Sequence, residues 1–196
     1  MIITVYCSGS IPKGPTDKRP FLWTDSERAE LERAAYPFEI RFLRPDDAVA
    51  SLDDSMAMFG RDMYQVQIAN FVVVDARDRR GIGIGIEMLA SRIMGTALIV
   101  VAPRDSHYRK SDVTYRGATV AEYIHPHIAS LADVVVDSFA EAGTWISAFC
   151  SSSHHVKAFE AVQEAIEIYK RDVLHLDEPM VQLMLELEET GQSIAE

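Results

Sequence analysis

Four apolar runs constrain this chain more than any other feature. They are residues 2–7 (IITVYC), 71–74 (FVVV), 97–102 (ALIVVA) and 132–136 (ADVVV). Runs this continuous do not alternate between a wet face and a dry one. They read as strands covered on both sides, the pattern of a parallel sheet. Residues 38–43 alternate and supply one more strand, second in chain order. Helical signals lie between the runs. Thr24-Asp25-Ser26-Glu27 is a capping box for a helix to about Ala35, and Pro37 ends it. Residues 46–60 are ambiguous; Asp53-Asp54-Ser55 is a candidate cap for a helix that carries Met56, Phe59, Asp62, Met63 and Val66 and ends near Ala69. A helix over 87–94 follows the third strand, and another begins within 137–148.

The order β-α-β-α-β-α-β-α-β predicts an α/β fold: a flavodoxin- or Rossmann-like doubly wound, mostly parallel five-stranded sheet with extra C-terminal helices. The predicted boundary puts an α/β domain at 1–150 and a helical appendage, packed on the same domain, at 151–196. There, Ser151–Ser153 would cap a helix to about Leu174, and Pro179 would start a last one to about Glu189. Residues 107–119 are polar and basic and read as a mobile loop over the sheet. Residues 120–131 read as a short helix interrupted near Pro126.

Composition excludes several classes. The net charge of −11 argues against a nucleic-acid polymer or an anionic membrane as the main partner, though a single nucleotide needs only a local cradle. No apolar run approaches the roughly 20 residues of a membrane span. The chain opens on a strand with no basic segment ahead of it, so no signal peptide is expected. Two cysteines, Cys7 and Cys150, make no disulfide framework. They fit a reducing, cytoplasmic setting, with Cys7 in the core.

The stretch 69–95, ANFVVVDARDRRGIGIGIEMLASRIMG, gathers the chemistry. A buried strand is followed by two Asp residues, an alternating Gly/Ile run, and a helix. Gly81, Gly83 and Gly85 let a small molecule approach the backbone. Glu87 stands where glycines give way to helix; in a first helical turn the dipole would favour its ionised form. The bland alternative is a glycine-rich turn with an ordinary first-turn Glu. A dinucleotide fingerprint fails on spacing, because the third glycine of G-x-G-x-x-G would fall on Ile86 or Met88. His125-Pro126-His127 lacks a third ligand, so no metal is expected. His154-His155 reads as surface. Ser138 and His125 have no G-x-S-x-G context.

Tyr6, the loop Ser8-Gly9-Ser10-Ile11-Pro12-Lys13-Gly14, Asp62 and Glu87 remain. The loop and Glu87 lie at the carboxyl ends of strands one and three, which neighbour each other at the switch point of such a sheet. They therefore converge on one crevice. Two carboxylates beside a phosphate-type loop suit cleavage of a glycosidic bond. One would attack or stabilise the anomeric carbon, and the other would hold the sugar or the leaving base.

Three stretches carry a family resemblance. Val5-Tyr6-Cys7-Ser8-Gly9-Ser10-Ile11 is similar to an opening strand and V-Y-x-x-G-S-I phosphate loop. Asp62, followed by Ile68-Ala69-Asn70-Phe71-Val72-Val73-Val74, is similar to D-x(6)-A-D-x-V-V, with Asn70 in place of the second Asp. Gly83-Ile84-Gly85-Ile86-Glu87, followed by Ala90, is similar to G-x-G-x-E-x-G-x-A. Over residues 1–102 the chain thus resembles the nucleoside 2-deoxyribosyltransferase family, which includes the 2'-deoxynucleoside 5'-phosphate N-hydrolases. The resemblance implies a Rossmann-like fold and retaining chemistry through a glycosyl ester on Glu87. It implies a homodimer or larger homo-oligomer, with sites near subunit contacts. It places Tyr6 and Asp62 close to Glu87, with Asp62 binding or protonating the base or orienting the sugar. Ser8, Gly9, Ser10 and Ile11 would hold the 5' end, and Gly83 and Gly85 would line the substrate. The chain departs from the family where Pro12-Lys13-Gly14 replaces Arg-Gly-Gly, where Gly81 replaces a serine, and where Leu89 replaces a glycine and would crowd the packing.

The expected activity is cleavage of the N-glycosidic bond of a nucleoside or nucleoside 5'-monophosphate, by hydrolysis or base exchange, with no cofactor. Lys13, Arg109, Lys110 and Arg116 are candidate contacts for a 5' phosphate. The alternatives are a non-catalytic nucleotide-binding module and a hydrolase of NAD or a related ribosyl donor.

Overall fold

The computed structural model describes residues 1–11, 23–47, 54–78, 81–115, 117–152 and 155–189. Five strands form one all-parallel sheet: β1 (Ile2–Ser8), β2 (Glu39–Leu43), β3 (Phe71–Asp75), β4 (Ala97–Val101) and β7 (Val134–Val136). Their order is β2-β1-β3-β4-β7, so β1 and β3 are neighbours and the chain reverses direction across the sheet between them. This is the expected doubly wound α/β architecture.

Side chains alternate across each strand, and two cores result. Ile3, Val5 and Cys7 of β1, with Phe71 and Val73 of β3, face α1 (Asp25–Ala34) and α5 (Phe139–Ser151) through Leu31, Ala142 and Ile146. Tyr6, Val72 and Val74 face the other way, toward α2 (Ser55–Ile68), α3 (Ile82–Met94) and α4 (Pro126–Leu131) through Val66, Ile84, Met88 and Ile128. Burial of Cys7 holds its thiol well above the usual range, consistent with a core role.

The capping box at Thr24 forms as the sequence predicts, with Thr24 and Glu27 each bonding the other's backbone N–H. The second cap is Asp54, whose carboxylate accepts from the Ala57 N–H at 2.7 Å; Asp53 lies outside the described residues. Three expectations are corrected. Residues 107–119 are not a loop. β5 (Arg109–Tyr115) and β6 (Ala118–Ile124) form an antiparallel hairpin, because β-branched residues recur on both arms around a turn at Gly117, whose φ is 83°. The helix read over 120–131 is consequently the end of β6 plus α4, which begins at Pro126 as a proline-led helix does. The Gly/Ile run is not a loop either: α3 starts at Ile82, with Gly81 as its N-cap.

The chain forms two compact units, Met1–Ala158 and Phe159–Glu196. The second contains α6 (Glu160–Asp172), a 3-10 turn (Leu174–Leu176) and α7 (Glu178–Glu189). Of the cap expected at Ser151–Ser153, Ser151 ends α5 and Ser152 is its C-cap, Ser153 lies outside the described residues, and α6 begins at Glu160. Among the described residues, no helix is long and apolar enough to cross a membrane, and no group of three His, Cys, Asp or Glu could hold a metal ion.

Candidate active site

Tyr6, Ser8 and Glu87 meet at the carboxyl edge of β1. The even-numbered residues of β1 point toward α3, so a residue two places beyond Tyr6 lands beside it. The Tyr6 hydroxyl donates to Oε1 of Glu87 at 3.0 Å, and the Ser8 hydroxyl donates to Oε2. Each carboxylate oxygen therefore has its own donor. All three side chains are buried, Glu87 with 8% exposure. Ser8 is the last residue of β1, not part of the loop that follows, which is why its hydroxyl faces Glu87 and not open solvent.

Glu87 is the sixth residue of α3, and no acidic residue lies in the first turn of that helix. The expected dipole effect, which fades beyond the first turn, does not govern it. Burial does: it raises the Glu87 carboxyl above the usual range, Asp62 adds to the rise, and the Ser8 and Tyr6 hydrogen bonds oppose it. Tyr6 is driven far above the ordinary tyrosine range by burial first, then by the charges of Glu87 and Asp62. Its phenol is therefore a fixed donor.

Asp62 is the eighth residue of α2, half-buried, and placed so that its charge acts on both Tyr6 and Glu87. Burial raises its own carboxyl, and neighbouring Arg61 offsets part of that. Two carboxylates with raised affinity for protons thus lie close enough for the charge of one to act on the other. The backbone beside them is open. A Cβ added at Gly83 would come no closer than 3.9 Å to Glu87 Oε1, and one at Gly85 would meet nothing within 4 Å.

The other predicted residues fall as follows. Gly9 and Ser10 are partly exposed beyond β1, and Ile11 is exposed; Lys13 and Arg116 lie outside the described residues. Arg109 pairs with Asp137 at 2.7 Å, and the Lys110 ammonium donates to the Asp105 carbonyl at 3.1 Å. Leu89 does not crowd the packing, because it faces outward with 39% exposure. Asn70 sits at the start of β3, at the opposite end of the strands from Glu87. There its side-chain oxygen accepts from the Thr4 N–H and hydroxyl, both at 2.9 Å. It is therefore remote from the Tyr6, Ser8 and Glu87 group.

Sequence reading missed Asp75, Arg77 and Trp23. Asp75 ends β3, is 1% exposed, and is gripped by the Arg77 Nε (2.9 Å) and Nη2 (3.1 Å). Arg77 also pairs with Glu27 of α1 and lies 4.9 Å above the Phe139 ring. The available signal was the ionic pair Asp75-x-Arg77 directly after an apolar strand.

No protein-family model matches this chain, and no curated protein matches it in sequence. Among solved structures it is similar to the 2-desoxiribosyltransferase from Leishmania mexicana. The identity is 14% and the TM-score 0.51, over 78% of this chain and 99% of that one. The likeness is one of fold.

A raised folded-state pKa has a measurable consequence for stability. The folded protein holds the Glu87 proton more tightly than the unfolded chain does, so protonation favours folding. That contribution is complete below the unfolded carboxylate pKa. It is lost as pH rises through the higher folded value. Glu87→Gln cannot ionise. Its melting temperature should match or exceed wild type at neutral pH, and the gap should shrink as pH falls through the carboxylate range. Thermal melts of both proteins between pH 4 and about 8 check this. A constant gap would contradict it.

Proposed function

We propose that this protein cleaves the N-glycosidic bond of a nucleoside or nucleoside 5'-monophosphate through a glycosyl ester on Glu87. The observation that carries this reading is one buried carboxylate, held at both oxygens by Tyr6 and Ser8, beside a second carboxylate and open glycine backbone.

The chemistry follows from those positions. A glycosidic bond breaks through an oxocarbenium-like transition state, which a fixed carboxylate stabilises and then captures. The Tyr6 and Ser8 bonds aim the Glu87 carboxylate, and its burial strips water from it. The carbon–nitrogen bond breaks with its electron pair leaving on the base, and a Glu87 oxygen bonds to the anomeric carbon. Asp62, whose carboxyl sits above its ordinary range, is suited to hand a proton to the departing base. Water then attacks the ester, or a second base does, and Glu87 is regenerated. Asp75 and Arg77, locked together, wall the carboxyl edge of β3.

A homo-oligomer belongs to the same reading. α3 exposes Ile82, Ile86, Leu89 and Ile93 at four-three-four spacing, and both of its charged residues, Glu87 and Arg92, are buried. An uncharged stripe of this kind suits a second copy of the chain. Sedimentation equilibrium tests it, and a monomer at all concentrations would remove it.

The activity is tested by incubating the protein with ribo- and deoxyribonucleosides, their 5'-monophosphates and NAD, and following free base by chromatography. Release from one substrate class is the expected result, and dependence on an added base would make the protein a transferase. Ligand binding without release from any substrate would leave a nucleotide-binding module.

A further inference from the structure

We propose that Trp23 is a positioning residue for Glu87, holding the main chain at Ser8 so that the Ser8 hydroxyl reaches the Glu87 carboxylate. Its catalytic consequence rests on the glycosidase reading above; its structural consequence does not.

Trp23 is 1% exposed and belongs to the core on the α1/α5 side of the sheet, opposite the face that carries Glu87. Its indole N–H donates to the Ser8 carbonyl at 3.3 Å. That carbonyl stands where β1 has outrun β2: their pairing ends at Tyr6 and Leu43, two residues earlier. The indole therefore secures a stretch of strand that β2 does not reach. The ring is fixed in turn. Phe139 lies 4.5 Å from it and Phe42 6.1 Å, centroid to centroid. The Trp23 carbonyl accepts from Arg28 Nη1 at 2.6 Å, and the next residue, Thr24, caps α1. Trp23 also has a φ of 29°, a backbone state that L-residues rarely adopt and that surrounding contacts must hold in place. A continuous chain of contacts thus runs from the capping box of α1, through the indole, to the Ser8 backbone. From there the Ser8 hydroxyl reaches Oε2 of Glu87.

The bond at the end of that chain stabilises the ionised form of Glu87. Loosening Ser8 should weaken the bond and raise the carboxyl further. Trp23→Phe keeps an aromatic ring between Phe42 and Phe139 and deletes the donor together with part of the indole's volume. The readout is the side-chain carboxyl carbon-13 titration of Glu87, assigned with Glu87→Gln, together with kcat and KM for base release. In Trp23→Phe the Glu87 midpoint should rise by about one pH unit. The acid limb of the kcat profile should move up with it, and kcat should fall about tenfold with little change in KM. Ser8→Ala should give the same upward shift, and the double variant should add nothing to it, since both break one chain of contacts. Should Trp23→Phe fold poorly, the benzothiophene analogue of tryptophan at position 23 keeps the ring's shape and lacks the N–H. An unmoved Glu87 midpoint in a folded variant, or additive shifts in the double variant, would overturn the proposal. Absence of base release from the wild type, with the titration shift intact, would instead remove the glycosidase reading and leave the positioning role standing.

Discussion

Glu87→Ala should lose on the order of 10⁴-fold in kcat/KM for base release, while nucleoside binding persists or tightens. The expectation follows from how Glu87 is held among the described residues. It is the carboxylate with a hydroxyl donor on each oxygen, and it faces the open backbone at Gly83. Asp62 cannot replace it, because it sits on a different helix and influences Glu87 and Tyr6 through its charge. Persistence of binding is the informative half. Alanine removes a buried group whose ionised form is costly but leaves the Tyr6 and Ser8 hydroxyls without their acceptor, so a thermal melt should accompany the binding measurement. Equal loss of binding and turnover would mean that Glu87 holds the ligand and performs no chemistry. Stopped-time assays beside isothermal titration separate the two.

The second large effect concerns folding. Asp133→Ala should destabilise the first unit by about 3–5 kcal/mol and lower its melting temperature on the order of 10 °C. Arg92 of α3 is 2% exposed and meets Asp133 in a two-pronged pair, at 3.0 and 2.7 Å. Asp133 also accepts from the Leu98 and Lys157 backbone N–H groups, both at 2.7 Å. Removing it leaves a buried guanidinium without its counter-charge and takes the acceptor from the Leu98 and Lys157 N–H groups. Arg92 additionally donates to the Thr96 and Lys157 carbonyls, so the pair ties α3 to β4 and to the segment after α5. Because α3 carries Glu87, the same variant should also blur the site. Replacing both partners by apolar residues should recover much of the stability lost. Differential scanning calorimetry of the single and double variants checks both statements; a single variant within 1 kcal/mol of wild type (about 2–4 °C) would contradict the first.

The sheet was legible because its strands are buried on both faces. Runs such as FVVV and ALIVV suit little else, and the order of strands and helices then limited the topology. The adjacency of β1 and β3 followed from topology, since the two had to meet at the switch point. Local geometry was harder to see. Three glycines in five residues argue for a loop on propensity alone, yet Ile84 and Met88 bury one face of α3 and packing overrides the cost. That error placed Glu87 in a first turn and assigned it a dipole-favoured charge, where burial governs. The hairpin at β5 and β6 was hidden because β5 is mostly polar and β6, though richer in apolar residues, is largely exposed, so neither carries a core pattern. Trp23 was invisible for a different reason: its partner is a backbone carbonyl 15 residues earlier, and no side-chain motif encodes such a contact.

The most direct test of the account is intact and peptide mass spectrometry of the protein quenched during turnover. With a substrate that releases base, the account expects a glycosyl adduct on the peptide containing Glu87, formed with the burst of base and absent in Glu87→Gln. Base release that continues in Glu87→Gln, or an adduct carried by another residue, would contradict it.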